Sequence, residues 1–421
     1  MVVVCLFAQA AFVQPASGFT LEEAISLALT RNERARSAVE EARAADARVG
    51  RARAFLFPSL TATGAYSYRP ELERGNTDRE TTEGTIVAEQ TILDFRSFPL
   101  LGQARHLRAA ARLTAEDARR LLAFDTAEAF LTVLNAQQVA RAAEERLEFA
   151  ERNLREIRVR FDAELVGSND VTRAELEVAS AERELVRARG ALRVSHLGLE
   201  NLTATDIDDT LAVPAELLAE AERPVAALAA EMPPAATNRP DLLAERARVA
   251  ALRSSAREPL GRYFPALGAS AVGRSAEDDG ASGRDENWTI GLGLTWNLFD
   301  GGIRESERAE RRALARAAEL DLSNLERAVA FEVETAQVRI ESDQASLARA
   351  EVAVQAARRN AAETAELYRQ GLARALEVVD ANVQVFEAEV ERAAAQYSLV
   401  LALLGLRSSA GLDPLPAEVS R

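Results

Sequence analysis

The sequence predicts a mainly α protein with a membrane β portion, built from one unit written twice. Three observations carry that expectation. The stretches 103–166 and 303–370 contain no Gly or Pro, four short segments alternate greasy and polar residues, and the two halves keep one register. Long helices, short strands and a duplication follow from them in turn.

The duplication is read first, because a repeat decides how every other segment is interpreted. "FLFPSL" and "RYFPAL" place Phe57 and Pro58 against Phe264 and Pro265, 207 positions apart (264 minus 57). The same spacing pairs the stretch from Phe161 with the stretch from Tyr368, matching Leu165 with Leu372, Val171 with Val378, Ala181 with Ala388 and Leu197-Gly198-Leu199 with Leu404-Gly405-Leu406. A register kept at both ends of the unit argues for duplication over chance. The expected order is a first repeat over 19–210, a connector over 211–235 containing a short helix, a second repeat over 236–412 and a tail over 413–421. Pro-containing sequence from Leu211 to Pro240 marks the connector.

Each repeat opens with a helix and then a hairpin. Strands are expected at about 59–68 and 84–93, and at about 266–274 and 287–297, with polar loops at 69–83 and 274–286 between them. The last strand, "NWTIGLGLTWN", is the clearest: Trp288, Ile290, Leu292, Leu294 and Trp296 fall on one face, and Asn287, Thr289, Gly291, Gly293 and Thr295 on the other. In the first strand Leu60, Ala62, Gly64, Tyr66 and Tyr68 alternate with Ser59, Thr61, Thr63, Ala65 and Ser67, whereas Ile86, Ala88 and Ile92 alternate more weakly because Gln90 interrupts them.

Very long helices follow at about 103–166 and 303–370, each about 95 to 100 Å at 1.5 Å per residue. Partner helices are expected at about 170–200 and 374–406. Ala318, Leu322, Leu325, Val329, Ala336 and Ile340 recur at three-and-four spacing, which is a coiled-coil seam, and its alanines bring helix axes close together.

Composition narrows the function class. The formal charge of -15 disfavours nucleic acid, which needs a basic patch to displace counterions. All 51 basic residues are Arg, which a coding bias explains most simply. The apolar run Val2–Val13, followed by small residues at Ala16–Gly18, reads as a signal peptide over 1–18, although the usual basic start is missing. Cys5 lies inside it, so the mature chain is expected to lack thiols. No later stretch approaches the roughly 18–20 apolar residues of a membrane helix. Any crossing of a membrane must use strands.

A four-stranded sheet with one greasy and one polar face is a poor soluble core but a good wall of a membrane barrel. Trp288 and Trp296 stand about 26 Å apart along the strand, close to the roughly 25 Å apolar band between aromatic girdles. Four strands cannot close alone, and an open edge is intolerable in lipid, so several copies must share one barrel.

At this point "FTLEEAISLALTRN", the "FPSL" and "FPAL" entries to strands, "NLFDGG" and "YRQGLARALEVVDANVQVFEAEVERAAAQYSLVLALLGL" resemble the TolC-type outer membrane efflux family. The resemblance covers essentially the whole mature chain. It implies a homotrimer with a twelve-stranded barrel in the outer membrane and a tube of coiled helices in the periplasm. It also implies docking to a periplasmic adaptor and an inner-membrane transporter, in a tripartite efflux pump or a type I secretion system. Substrates of such ducts range from drugs and metal ions to lipids and polypeptides, and selection is made upstream.

Several residues then become candidates. The turns "FDAELVGSND" and "YRQGLARALE" lie at the end opposite the barrel, where the family meets its adaptor, and the resemblance places Val166, Gly167 and Ser168 on the family's Val-Gly-small motif. Gly371, Leu372 and Arg374 occupy the second turn, which departs from that motif, and Arg374 is displaced from the position expected for a basic residue. Gly167 and Gly371 both suit turn geometry, and making turns is the alternative role for the whole group. Glu377 and Asp380 sit one helical turn apart and resemble the paired acids with which some family members constrict the periplasmic entrance; Asp170 matches Glu377 in the first repeat, where Arg173 replaces the second acid. Complementing a helix dipole is the competing role for these acids. Trp288, Trp296, Tyr66 and Tyr68 are candidates for membrane-interface aromatics.

His106 and His196, the only two histidines, are far apart on helices and read as structural or surface residues. No nucleophile motif, phosphate loop or metal-ligand cluster is legible, so neither an enzyme nor a cofactor is expected. A soluble periplasmic coiled-coil scaffold is the alternative reading. It accounts for the long seams and leaves the hairpins and tryptophans unexplained.

Overall fold

The computed structural model describes residues 18–68, 70, 80–207, 210–278 and 284–415. In chain order the elements are α1 (Leu21–Arg31), α2 (Glu33–Arg53), β1 (Ser59–Tyr68), β2 (Glu80–Leu93), α3 (Ser97–Asp162), α4 (Ser168–Thr203), α5 (Ala215–Ala221), α6 (Val225–Glu231), α7 (Ala235–Asn238), α8 (Pro240–Ser255), α9 (Glu258–Gly261), β3 (Ala266–Asp278), β4 (Arg284–Thr295), α10 (Ile303–Arg369) and α11 (Ala375–Ser409). The expected signal peptide falls almost wholly outside the described residues, as does most of the first hairpin loop and the end of the tail.

Several boundaries differ from expectation for identifiable reasons. α3 starts at Ser97 rather than near 103: Pro99 falls in the first turn, where a missing N–H costs nothing, and the Asp94 carboxylate accepts from the Arg96 backbone N–H just before the helix. The strands outrun the predicted loops, since β2 begins at Glu80, β3 continues to Asp278 and β4 begins at Arg284. Their polar extensions stay in the ladder, with Ser275 opposite Glu286 and Glu277 opposite Arg284. β4 instead stops at Thr295, because the Trp296 indole N–H turns to donate to the Tyr263 carbonyl at 3.1 Å. The connector holds three short helices, each preceded by a proline, where one was expected.

Contacts divide the chain into two compact units, one of Met1–Arg36, Ala118–Arg239 and Val329–Arg421, the other of Ser37–Asp117 and Pro240–Ala328. In the first, the core gathers Leu21, Phe130, Leu131, Leu199, Leu228, Ile340, Leu399 and Leu403, all buried. α1 enters this core through a capping box: the Thr20 hydroxyl accepts from the Glu23 N–H while the Glu23 carboxylate accepts from the Thr20 N–H. Phe19 bridges to Leu211 as a short parallel pairing, and Gln344 on α10 donates to the Ala221 and Arg223 carbonyls at 2.9 and 2.7 Å, so the connector is bound to the same core.

The long helices end alike in both repeats. After α3 the Leu165 N–H bonds the Arg160 carbonyl and Glu164 N–H bonds Phe161, with Glu164 left-handed at φ 56. After α10 the Leu372 N–H bonds Leu367 and Gly371 N–H bonds Tyr368, with Gly371 at φ 75. These are Schellman caps at matching positions, and the glycine expected there is present only in the second repeat. α4 and α11 repeat the pattern, with Ala204 at φ 51 against Gly411 at φ 79. A side chain at φ near +60 costs about 1 kcal/mol relative to Gly. Glu164→Gly and Ala204→Gly are therefore each expected to stabilise the helical fold by about 1 kcal/mol in urea unfolding followed by circular dichroism. Gly411→Ala should act oppositely, since a Cβ there would lie 2.9 Å from the Arg239 backbone.

The second unit contains the sheet, antiparallel throughout in the order β1-β2-β3-β4, so β1 and β4 are its edges. Gly261 lies against the end of β2, where a Cβ would come within 2.6 Å of the Arg96 nitrogen. Below β4, the buried Arg304 pairs with Asp300 at 3.0 Å and donates to the Asn297 and Leu298 carbonyls, which fixes the start of α10.

Candidate functional site: a two-faced sheet and the helical turns

The register assembles the alternation of single strands into two continuous faces. Leu60, Ala88, Ala271 and Ile290 form one row across all four strands, and Ala62, Ile86, Gly273 and Trp288 form the next. Leu292 beside Ala269 and Leu294 beside Leu267 extend this greasy face toward Trp296. On β2, β3 and β4 it ends toward the loops at Gly84, Ser275 and Glu286, while on β1 it continues past Gly64 to Tyr66 and Tyr68. The side chains are open: Trp288 is 76% exposed, Leu292 74% and Leu60 74%. No described residue covers them.

The opposite face carries Thr61, Thr63, Glu83, Thr85, Ser270, Arg274, Asn287, Thr289, Gly291 and Gly293, with the Val87–Val272 pair as its one large apolar row. Arg274 bonds Glu83 across β2 and β3 at 2.7 Å. Gln90, which interrupts the alternation of β2, sits on the greasy side beside Ala269, and its amide donates to the Phe55 and Thr91 carbonyls. A polar side chain satisfied by backbone costs little in an apolar face. Tyr66 and Tyr68 share the greasy face with Trp288 but lie nearer the loops, beyond the Ala62–Trp288 row. Rows of a tilted sheet run obliquely to a membrane plane.

In the other unit, the two helical turns pack on a small common core of Ile157, Ala174, Tyr368, Ala375 and Val378. The Arg160 guanidinium lies 4.4 Å from the centre of the Tyr368 ring and donates to the Tyr368 carbonyl at 3.3 Å. Burial pushes the Tyr368 hydroxyl pKa above its usual value. Val166 is half-buried against this core, while Ser168 is exposed at the start of α4. Gly167 does not use a glycine's freedom: it is the extended N-cap of α4 at φ -84, and its counterpart in the repeat is Arg374, the N-cap of α11 at φ -89. The residue equivalent to Gly371 is Glu164, which sequence reasoning passed over. Leu165 and Leu372 occupy the same place after each cap and are 75% and 73% exposed.

Ala375 and Val378 turn the inner face of α11 to the core, which leaves Glu377 and Asp380 together on its exposed face. Asp170 is half-buried at the first turn of α4, where its N–H bonds the Gly167 carbonyl. No group of three or more His, Cys, Asp or Glu suited to a metal occurs among the described residues, and no described helix is long and apolar enough to cross a membrane.

Comparison with known proteins places this geometry. The family model for "Outer membrane efflux protein" matches the chain twice, over residues 24–205 and 233–412. The outer membrane protein TolC of Escherichia coli (strain K12) is 24% identical over 395 residues, 90% of this chain and 80% of the relative. The solved outer membrane channel MtrE of Neisseria gonorrhoeae, in its open state, superposes with a TM-score of 0.79 at 19% identity over 94% of this chain and 91% of that one. The Campylobacter jejuni channel CmeC gives 0.78 at 16% identity, over 95% and 87% of the two chains. This chain belongs to the outer membrane efflux protein family, and it is an exit duct of the outer membrane reaching into the periplasm, not an enzyme.

Proposed function

We propose that three copies of this chain close one twelve-stranded barrel, the β4 edge of each pairing with the β1 edge of the next, and that their long helices form a periplasmic tube. The observation that carries this reading is the sheet itself, with a greasy face that no described residue covers and two edges unpaired among the described residues. Lipid covers the first and neighbouring copies satisfy the second. The polar face, lined by Thr, Asn and Gly, then faces the water of the pore. A soluble coiled-coil scaffold would expose the same greasy face to water at high cost, which disfavours that alternative.

The helical turns are the surface for a periplasmic adaptor, through Val166, Gly167 and Ser168 in the first repeat and Gly371, Leu372 and Arg374 in the second, and an inner-membrane transporter supplies the energy. Glu377 and Asp380 place six carboxylates around the periplasmic mouth of the trimer, with Asp170 behind them. Rings of acid draw cations and repel anions. Reconstituted in planar bilayers under a KCl gradient, the wild-type duct is expected to show a cation-selective reversal potential. Glu377→Gln with Asp380→Asn should move that potential toward zero. Selectivity unchanged by the double substitution sinks the ring, and absence of any conductance from the wild type sinks the duct.

A further inference from the structure

Between α3 and α4 lies an open groove of about 340 Å³, lined by Arg141, Glu144, Arg189, Leu192, Arg193 and His196 among others. Its charge is unbalanced. Glu144 is engaged by Arg189 at 2.8 Å, the nearest acid to Arg193 is Glu200 at 3.5 Å, and Arg141 makes no ion pair among the described residues. His196 is only 3% exposed, yet its Nδ1 has no hydrogen-bond partner among the described residues. Buried polar atoms nearly always find one, so an orphaned ring nitrogen in a groove that also holds the unpaired Arg141 guanidinium marks an incomplete site.

The internal repeat shows the completed form of the same groove. At the matching positions Gln137 becomes Gln344, Ala140 becomes Leu347, Leu192 becomes Leu399, Arg193 becomes Val400 and His196 becomes Leu403. There the connector fills the space: Gln344 donates to two of its carbonyls, and Leu347, Leu399, Val400 and Leu403 share a core with Leu217, Ala221 and Leu228. The first repeat keeps the groove open and replaces its apolar lining with arginine and histidine. Such a lining suits an occupant with oxygen acceptors and negative charge.

We propose that this groove binds a small oxyanion, a carboxylate or a phosphate. Its oxygens accept from Arg141 and Arg193 in charge-assisted hydrogen bonds. Nδ1 of His196 is buried, so the ring turns toward the groove on binding, to donate to a carboxylate or to accept a P–OH from a phosphate. Leu192 and Ala140 leave room for a short apolar group on the bound anion.

The test is isothermal titration of the full chain in detergent with inorganic phosphate and, separately, with succinate; the tighter probe identifies the source of the oxygens. One saturable site per chain is expected for at least one probe. Arg141→Gln and His196→Gln should each weaken it about tenfold, as loss of a charge-assisted bond does. Arg141 is exposed, so its variant should keep the wild-type circular dichroism and remain informative where the buried His196 variant does not fold. Saturable binding of neither probe to the wild type overturns the proposal, as does an Arg141→Gln variant that binds like the wild type. A groove that takes neither probe but whose Arg141→Gln variant loses oligomer heat stability is filled by an acid of a neighbouring chain, and the proposal again fails.

Discussion

Leu292→Arg is expected to impair folding into lipid bilayers by about 2–4 kcal/mol, because it sets a guanidinium on the lipid side near the middle of the apolar band. Leu292 lies midway between Trp288 and Trp296 on the greasy face and is 74% exposed in the single chain. Gly293→Arg is the matched control. It is one residue away at almost the same depth but on the polar face, where an added Cβ would meet no heavy atom within 4 Å, and it should cost far less. Depth is held constant, so the difference reports the face alone. Urea titration of folding into phosphatidylcholine vesicles measures both. A larger penalty at Gly293 than at Leu292 means that the faces are inverted.

Phe130→Ala should destabilise the helical unit by about 3–5 kcal/mol, as loss of a fully buried aromatic ring does when its surroundings relax only partly. Phe130 is 0% exposed in the core that joins α1, α3, α4, α10, α11 and the connector helices. The loss should appear as a lower urea midpoint for the helical signal, with bilayer insertion of the sheet little changed. The two substitutions thereby separate two solvents. Phe130 is held by exclusion of water, Leu292 by exchange of water for lipid.

The greasy strand face was legible because period two is a strong signal when large apolar residues mark it, as Trp288 to Trp296 do. The weaker β2 was legible only from its partner: Gln90 breaks its alternation, and the reason it is tolerated, the carbonyls of Thr91 and of Phe55 ahead of β1, exists only in the folded chain. Strand ends were misread at the loops because Glu80, Glu277 and Arg284 look like loop residues, although ladder pairing asks nothing of side-chain polarity. The duplication is an expectation from spacing alone. It also held the means to locate the left-handed positions, since Gly371 and Gly411 point across the repeat to Glu164 and Ala204. Gly167 drew attention instead, because a glycine advertises a turn more loudly than a glutamate does. The sequence leaves His196 either structural or on the surface; it is buried, and its orphaned Nδ1 and the arginines around it depend on how α3 and α4 meet.

The shared barrel is tested most directly by oxidative cross-linking between the two sheet edges. With Cys5, the single cysteine, replaced by Ser, Ala62→Cys on β1 is combined in turn with Ile290→Cys, Leu292→Cys and Leu294→Cys on β4. Two strands separate these edges within one chain, so a bond between them must join different copies. At least one combination is expected to give a covalent trimer on denaturing gels after oxidation in membranes. Failure of all three, while Ala62→Cys with Ile86→Cys in the paired strands β1 and β2 still oxidises within one chain, would contradict the barrel.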